Sequence, residues 1–219
     1  LISLERVALG GGLGIFLTVL SAYPLSKSSA VFKMRTVYVW YFFITMLFSG
    51  GLIPGYVVIT GLGLKNTIWA LVLPGAVSAY NILLMLNFYR QLPSELEEAA
   101  FIDGAGHFRT WFHIYLPCSI PSIATIALFT IVGQWNAWFD GLIYMTKTEL
   151  YPLQSYLQTI VTRLDFQNMT AEELKRLSAL NQRSLISAQM VIAMVPILIL
   201  YPFLQKYFVT GMVLGSVKG

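Results

Sequence analysis

Five stretches of this 219-residue chain contain no Asp, Glu, Lys or Arg: residues 7–26, 36–64, 66–89, 110–139 and 184–205. Each is long enough to cross a bilayer, which takes about 20 apolar residues in a helix. Composition agrees, with 57% of residues hydrophobic and 11% charged, where an ordinary soluble domain carries about a quarter charged. Mean hydropathy is +0.69. A soluble enzyme is excluded, and the expected class is an all-α membrane protein.

The remaining polar inventory removes further classes. Net charge is +4, from 14 basic and 10 acidic residues. The basic residues are scattered and form no stripe of the kind nucleic acid requires, so no nucleic-acid partner is expected. The single cysteine, Cys118, excludes an internal disulfide and offers no second thiolate for zinc. His107 and His113 lack an evident third ligand, so no metal site is expected. The chain opens Leu1-Ile2-Ser3 without the charged n-region of a signal peptide, which reads as the ordered part of a longer protein.

The charge-free runs predict five helical passes. The first, about Val7 to Leu25, opens with Gly10-Gly11-Gly12-Leu13-Gly14, a small-residue face that lets another helix approach closely. The second, about Val37 to Thr60, is interrupted at Ser49-Gly50-Gly51-Leu52-Ile53-Pro54-Gly55, a Gly/Pro cluster that marks a break. The third spans about Thr67 to Tyr89, the fourth about Pro121 to Met145 and the fifth about Leu185 to Phe208. A phosphate-binding loop has no support: Gly61-Leu62-Gly63-Leu64-Lys65-Asn66-Thr67 has the wrong spacing.

Between passes three and four, Ser94 followed three residues later by Glu97 is a capping-box pattern. Glu95, Glu97 and Glu98 also suit the positive end of a helix dipole. A polar helix of about ten residues is predicted to start at Ser94 and to stop at Gly104, which tolerates the left-handed conformation. Phe108 to Tyr115, with Trp111, Phe112 and Tyr115 beside Arg109, predicts a second helix at the membrane interface. Leu116-Pro117 is then predicted to turn the chain back into the bilayer.

The spacing of Glu98-Ala99-Ala100, three residues, Gly104, nine residues, Ile114, one residue and Leu116-Pro117 resembles the EAA signature of the membrane subunits of ATP-binding-cassette (ABC) importers. The resemblance implies that residues 91–117 are the cytoplasmic coupling loop, whose helix docks in a cleft on an ATPase subunit. Glu98, Ala99, Ala100, Asp103, Gly104, Ile114, Leu116 and Pro117 are then the coupling residues. The small residues let the helix backbone seat closely in a groove while its carboxylates pair with basic groups on the rim.

Other segments resemble the oligosaccharide permeases of that family. They are Ser21-Ala22-Tyr23-Pro24-Leu25-Ser26, Ile53-Pro54-Gly55-Tyr56, Gln134-Trp135-Asn136-Ala137-Trp138-Phe139 and the tail Gly211 to Gly219. Phe48 to Pro54 and Leu200 to Phe208 are similar to permeases for polysaccharide-derived or acidic oligosaccharides, alginate importers among them. The implied fold is a type I ABC importer transmembrane domain over 1–219, with the passes as helices two to six of six and the first helix lacking. An ABC importer for a non-sugar solute is the alternative. An ion-coupled secondary transporter is a weaker one, because the passes carry no ionisable residue except Asp140 near one end.

Orientation does not follow from charge, since seven basic residues fall on each side. The family pattern places the 26–36 loop, the 91–117 loop and the tail 210–219 in the cytoplasm, and residues 146–184 outside. Within that external segment Thr170-Ala171-Glu172-Glu173 is a second capping-box pattern, opening an amphipathic stretch through Leu174, Leu177 and Leu180. It reads either as a helix packed on its neighbours or as a loop that reaches the binding protein. The implied setting is the bacterial cytoplasmic (inner) membrane, crossed several times. The implied partners are a second permease subunit, two ATPase subunits, a solute-binding protein, an oligosaccharide and the lipid bilayer. No catalytic residue and no cofactor is expected on this chain, ATP and Mg being held by the ATPase subunits.

Polar residues inside a membrane face protein or a watery cavity. Ser78, Asn81 and Asn87 on pass three and Gln134, Asn136 and Asp140 on pass four are therefore candidates for the substrate pathway, with Trp135 and Trp138 as rings that can stack on sugar or anchor at the interface. On a continuous helix Asn136 and Asp140 share one face, and Gln134 and Trp138 share another about 160° away, so they cannot all line one pore. Asp140, read as wet near the outer end, is expected to repel an acidic sugar.

Overall fold

The computed structural model describes residues 1–162, 184, 187–199, 201 and 202, and the second capping-box pattern and the tail 210–219 lie outside them. Among the described residues every regular element is helical. Helix α1, Ile2–Ser26, is a single apolar rod of 25 residues, long enough by itself to cross a bilayer. It carries one π-helical turn at Val7–Gly11 and starts five residues before the charge-free run does, because Arg6 is buried rather than left in water.

The next two predicted passes are broken, and a further bend precedes the fourth. Helices α2 (Arg35–Leu47) and α3 (Leu52–Gly61) meet at 112°, and α4 (Ile68–Gly75, ending in a 3-10 turn) and α5 (Ala79–Gln91) at 47°. After the polar helix α6 (Ser94–Ile102), α7 (His107–Cys118) and α8 (Ile120–Asn136) meet at 80°. Counting each bent pair as one span gives up to four spans by length and composition. Three further α-helices are described, α9 (Phe139–Tyr144), α10 (Leu153–Thr162) and α11 (Ser187–Ile199), with a 3-10 turn at Thr148–Leu150.

Local chemistry accounts for most of the breaks. Gly51, at the first, has φ +86°, a conformation that favours glycine. Pro54 follows within the first turn of α3, where its missing N–H would have had no intrahelical partner. Pro74 sits in the 3-10 turn that closes α4, and the Ser78 hydroxyl accepts from the Asn81 N–H at 3.3 Å to open α5. The turn expected at Leu116-Pro117 comes at Ser119 instead, two residues beyond the proline, which occupies the last turn of α7. Pass four, expected to run unbroken to Met145, ends at Asn136 and restarts at Phe139.

Helix α1 lies between α5 and α8. A Cβ on Gly10 would lie 2.9 Å from Gln134 Cδ, and one on Gly14 would lie 3.1 Å from Thr130 Cγ2. The first is closer than packed Cβ atoms come and the second is tighter than most, so the predicted glycine face is used to seat α8. One apolar cluster joins Val19, Ala22 and Tyr23 of α1 to Ile82, Met85 and Tyr89 of α5, with Tyr115 of α7. A second joins Ile59 of α3, Leu71 of α4 and Tyr144 of α9.

The link that mimics a phosphate loop has a structural role. Gly63 and Asn66 take positive φ, +69° and +62°, and fold the chain back from α3 to α4. Asn66 Oδ1 then accepts from both the backbone N–H and the hydroxyl of Thr146, at 2.7 and 2.9 Å.

Candidate functional site

Helix α6 starts at Ser94 as predicted, but the capping box does not form. Pro93 stands at the N-cap with no side-chain hydrogen bond, and Glu97 turns away from the backbone. Its Oε1 accepts from Lys27 Nζ at 2.6 Å and its Oε2 from the Tyr115 hydroxyl at 2.7 Å. A buried ammonium and a phenol make shorter, charge-assisted bonds than an amide N–H would, so the long-range partners win.

The C-terminal end of α6 is as the sequence implies. Gly104 has φ +78°. Its N–H donates to Phe101 C=O at 3.0 Å, and the Ala105 N–H donates to Ala100 C=O at 2.9 Å, the paired 5→2 and 6→1 bonds of a Schellman stop.

Between these ends α6 is displayed. Glu98, Ala99, Asp103 and Gly104 are exposed, as are Phe101 and Ile102, the latter at 86%. Ala100 is buried. Ile114 and Leu116 pack against the first apolar cluster beneath, and Pro117 is exposed. The residues of the EAA pattern thus divide into a presented helix and a half-buried footing.

That footing is an aromatic cage around a cation. Lys27, the first residue after α1, has a side chain only 6% exposed. Its Nζ lies 4.0 Å from the centroids of both the Tyr23 and Tyr115 rings, where the ring quadrupole attracts it. Burial lowers the Lys27 pKa, and the Glu97 carboxylate pulls it back up. Burial, with Glu97 beside it, pushes the Tyr115 phenol up, so it remains a donor. Tyr23, Tyr89 and Tyr115 pack edge to face, and the Tyr23 hydroxyl lies 3.4 Å from His107 Nδ1.

The other end of α1 holds a second buried cation. The side chain of Arg6, 4% exposed, donates from Nε to Gln134 Oε1 at 2.9 Å and from a terminal nitrogen to Ala137 C=O at 3.1 Å. Its guanidinium pairs with both oxygens of Asp140. Ala137 is the residue at which α8 ends, so Arg6 supplies the donor that the interrupted helix lacks and joins α8 to α9 across the break.

Two expectations are corrected by this cluster. Gln134 and Asp140 do not lie on opposite faces of one helix, because the helix ends between them and Arg6 grips both. Asp140 is not a free wet carboxylate, because its charge is matched by Arg6, and the repulsion expected against an acidic sugar falls away.

The other pathway candidates are dispersed. Asn81 Nδ2 donates to Thr130 Oγ1 at 3.2 Å between α5 and α8, and Ser78 caps α5. The Trp135 indole N–H donates to Ala193 C=O of α11 at 3.0 Å. Asn87, Asn136 and Trp138 are exposed. Arg6 and Lys27 did not enter the sequence reading as site residues. The available signal was their position, since they are the two charges that bound the first charge-free run.

Residues 12–213 match the family described as binding-protein-dependent transport system inner membrane component. The chain belongs to this family. Two Bacillus subtilis (strain 168) relatives of this transport component align over the whole chain. One is the polygalacturonan/rhamnogalacturonan transport system permease protein YtcP, 38% identical over 100% of this chain and 76% of the relative. The other is Protein LplC, 41% identical over 100% of this chain and 73% of the relative. Among solved structures, a bacterial ABC transporter involved in the import of the acidic polysaccharide alginate contains a chain with the same fold. The TM-score is 0.81 at 30% identity, over 94% of this chain and 73% of that one. The all-helical architecture is accordingly that of a type I ABC importer transmembrane domain.

Proposed function

We propose that this transport component is the permease subunit of an ABC importer that moves oligosaccharides, uronate-containing ones included, across the bacterial inner membrane by alternating access. The observation that carries the reading is α6, a nine-residue helix held from beneath at Glu97, stopped by a left-handed glycine and otherwise presented to a partner. A docked ATPase subunit that moves on ATP binding would displace α6 and, through it, the helices below. ATP and Mg sit on that partner, and a second permease subunit completes the translocation pathway. Residues 91–117 and 210–219 then face the cytoplasm and 146–184 the outside, with the chain crossing the membrane several times.

The substrate class is supported by the names of similar proteins: polygalacturonan/rhamnogalacturonan for YtcP, alginate for the solved transporter, and arabinooligosaccharides for AraQ of Halalkalibacterium halodurans, 30% identical. The pairing of Asp140 with Arg6 is compatible with acidic cargo. A phosphorylated solute is the second reading, favoured by UgpE of Pectobacterium atrosepticum, a sn-glycerol-3-phosphate permease 27% identical to this chain.

Gly104→Val tests the docking role. A β-branched residue at φ +78° is strained by about 1–2 kcal/mol, and the stop that orients α6 is lost. Transport and binding-protein-stimulated ATPase activity are expected to fall together with the complex still assembled. Unchanged coupling in that variant would refute docking through α6. Binding of the cognate solute-binding protein to oligogalacturonates, alginate fragments, arabino-oligosaccharides and glycerol 3-phosphate separates the substrate readings.

A further inference from the structure

Among the described residues, every side-chain hydrogen bond that leaves α6 for the rest of the chain passes through Glu97. Both carboxylate oxygens are engaged, one by the residue that directly follows the membrane-length helix α1 and one by α7. The cation is enclosed on two sides by Tyr23 and Tyr115, so Lys27 cannot move without moving the rings that pack α1 against α5 and α7. A buried ion pair is a poor source of stability, because desolvation offsets much of its attraction and an apolar pair of similar volume often serves as well. What it supplies is a fixed geometry between two groups.

We infer that Lys27 is a positioning residue for energy coupling: with Tyr115 it grips Glu97, so that displacement of α6 is delivered to the end of α1 rather than absorbed by rotation of α6 on its footing. This rests on the docking role proposed for α6. It adds that the force leaves α6 through one carboxylate, and that the exposed residues of the EAA pattern act through it.

The test uses the assembled importer in proteoliposomes. ATP hydrolysis is measured with and without excess solute-binding protein loaded with a mixture of di- to tetragalacturonates, and also with the binding protein alone. Lys27→Met/Glu97→Gln removes the buried charges together, and Tyr115→Phe removes a single hydroxyl. Basal hydrolysis and complex yield should stay near the parent in both, while stimulation by the binding protein falls about tenfold in the double variant. That is the scale of one lost charge-assisted hydrogen bond. In Tyr115→Phe the fall should be smaller, about threefold, because the Lys27–Glu97 pair stays in place and still holds the carboxylate. Lys27→Arg, which keeps the charge, should recover part of the stimulation.

A merely structural pair predicts the opposite, lower yield with normal stimulation per assembled complex. Normal stimulation in assembled Lys27→Met/Glu97→Gln or in assembled Tyr115→Phe overturns the inference, and Tyr115→Phe decides alone should the double variant not assemble. Gly104→Val run in parallel separates the two levels. If it uncouples and the cage variants do not, the grip is wrong and the docking stands; if none uncouples, the docking role itself is wrong.

Discussion

The two ends of α1 solve one problem in different ways. Each buries a cation against a carboxylate distant in sequence, Arg6 with Asp140 and Lys27 with Glu97, about 32 Å apart along the helix axis at a rise of 1.5 Å per residue. Arg6 uses a planar fork to hold a side-chain amide, a backbone carbonyl and a carboxylate at once. Lys27 offers a point charge, and the tyrosine rings around it provide the direction that an ammonium lacks. The arginine end joins pieces of the membrane scaffold itself. The lysine end joins the scaffold to a helix that is mostly exposed. A fork suits a junction that must not move, and a caged point charge suits one that has to transmit movement.

Breaking the fixed end should have the largest effect. Arg6→Ala leaves Asp140 and Gln134 without their partner beside an open helix end, and loss of one member of a buried pair costs about 3–5 kcal/mol. We expect a marked fall in the melting temperature and yield of the purified complex, and only partial recovery with Arg6→Lys. A stable Arg6→Ala complex would mean that the break holds itself. Gly10→Val asks whether the same end depends on close approach. Its Cβ would lie 2.9 Å from Gln134 Cδ, so overpacking of about 1–3 kcal/mol is expected, read as a smaller shift in melting temperature. At the lysine end Ser94→Ala should do least. A working cap loses about 1 kcal/mol on this change, whereas no side-chain cap is made at the start of α6; stability and coupling should hold to within about 0.5 kcal/mol.

What the sequence made legible follows the range of the interactions. The membrane-length helix, the break at Gly51, the start of α6 at Ser94 and its stop at Gly104 are local events, written in charge-free runs, glycine and proline. The break at Ala137 is not, because no glycine or proline occupies Trp135 to Phe139 and the feature that supports it is an arginine 131 positions away. The capping box failed for the same reason: Ser94 and Glu97 have the right spacing, but Lys27, 70 positions earlier, competes for the carboxylate. Polar residues assigned by composition to a pathway, Asn81 and Gln134 above all, are used between helices, where one pairwise contact decides their role.

The occupation of Glu97 also changes how α6 is felt at a distance. The segment from Glu95 to Asp103 contains four carboxylates, but one is neutralised from below, and among the described residues no ion pair engages Glu95, Glu98 or Asp103. A field of three exposed charges fades within about 8 Å in physiological salt. It therefore attracts little from afar and acts as a filter near contact, rejecting acidic surfaces and admitting basic ones. Added salt should weaken that discrimination well before it disturbs the shielded pair beneath.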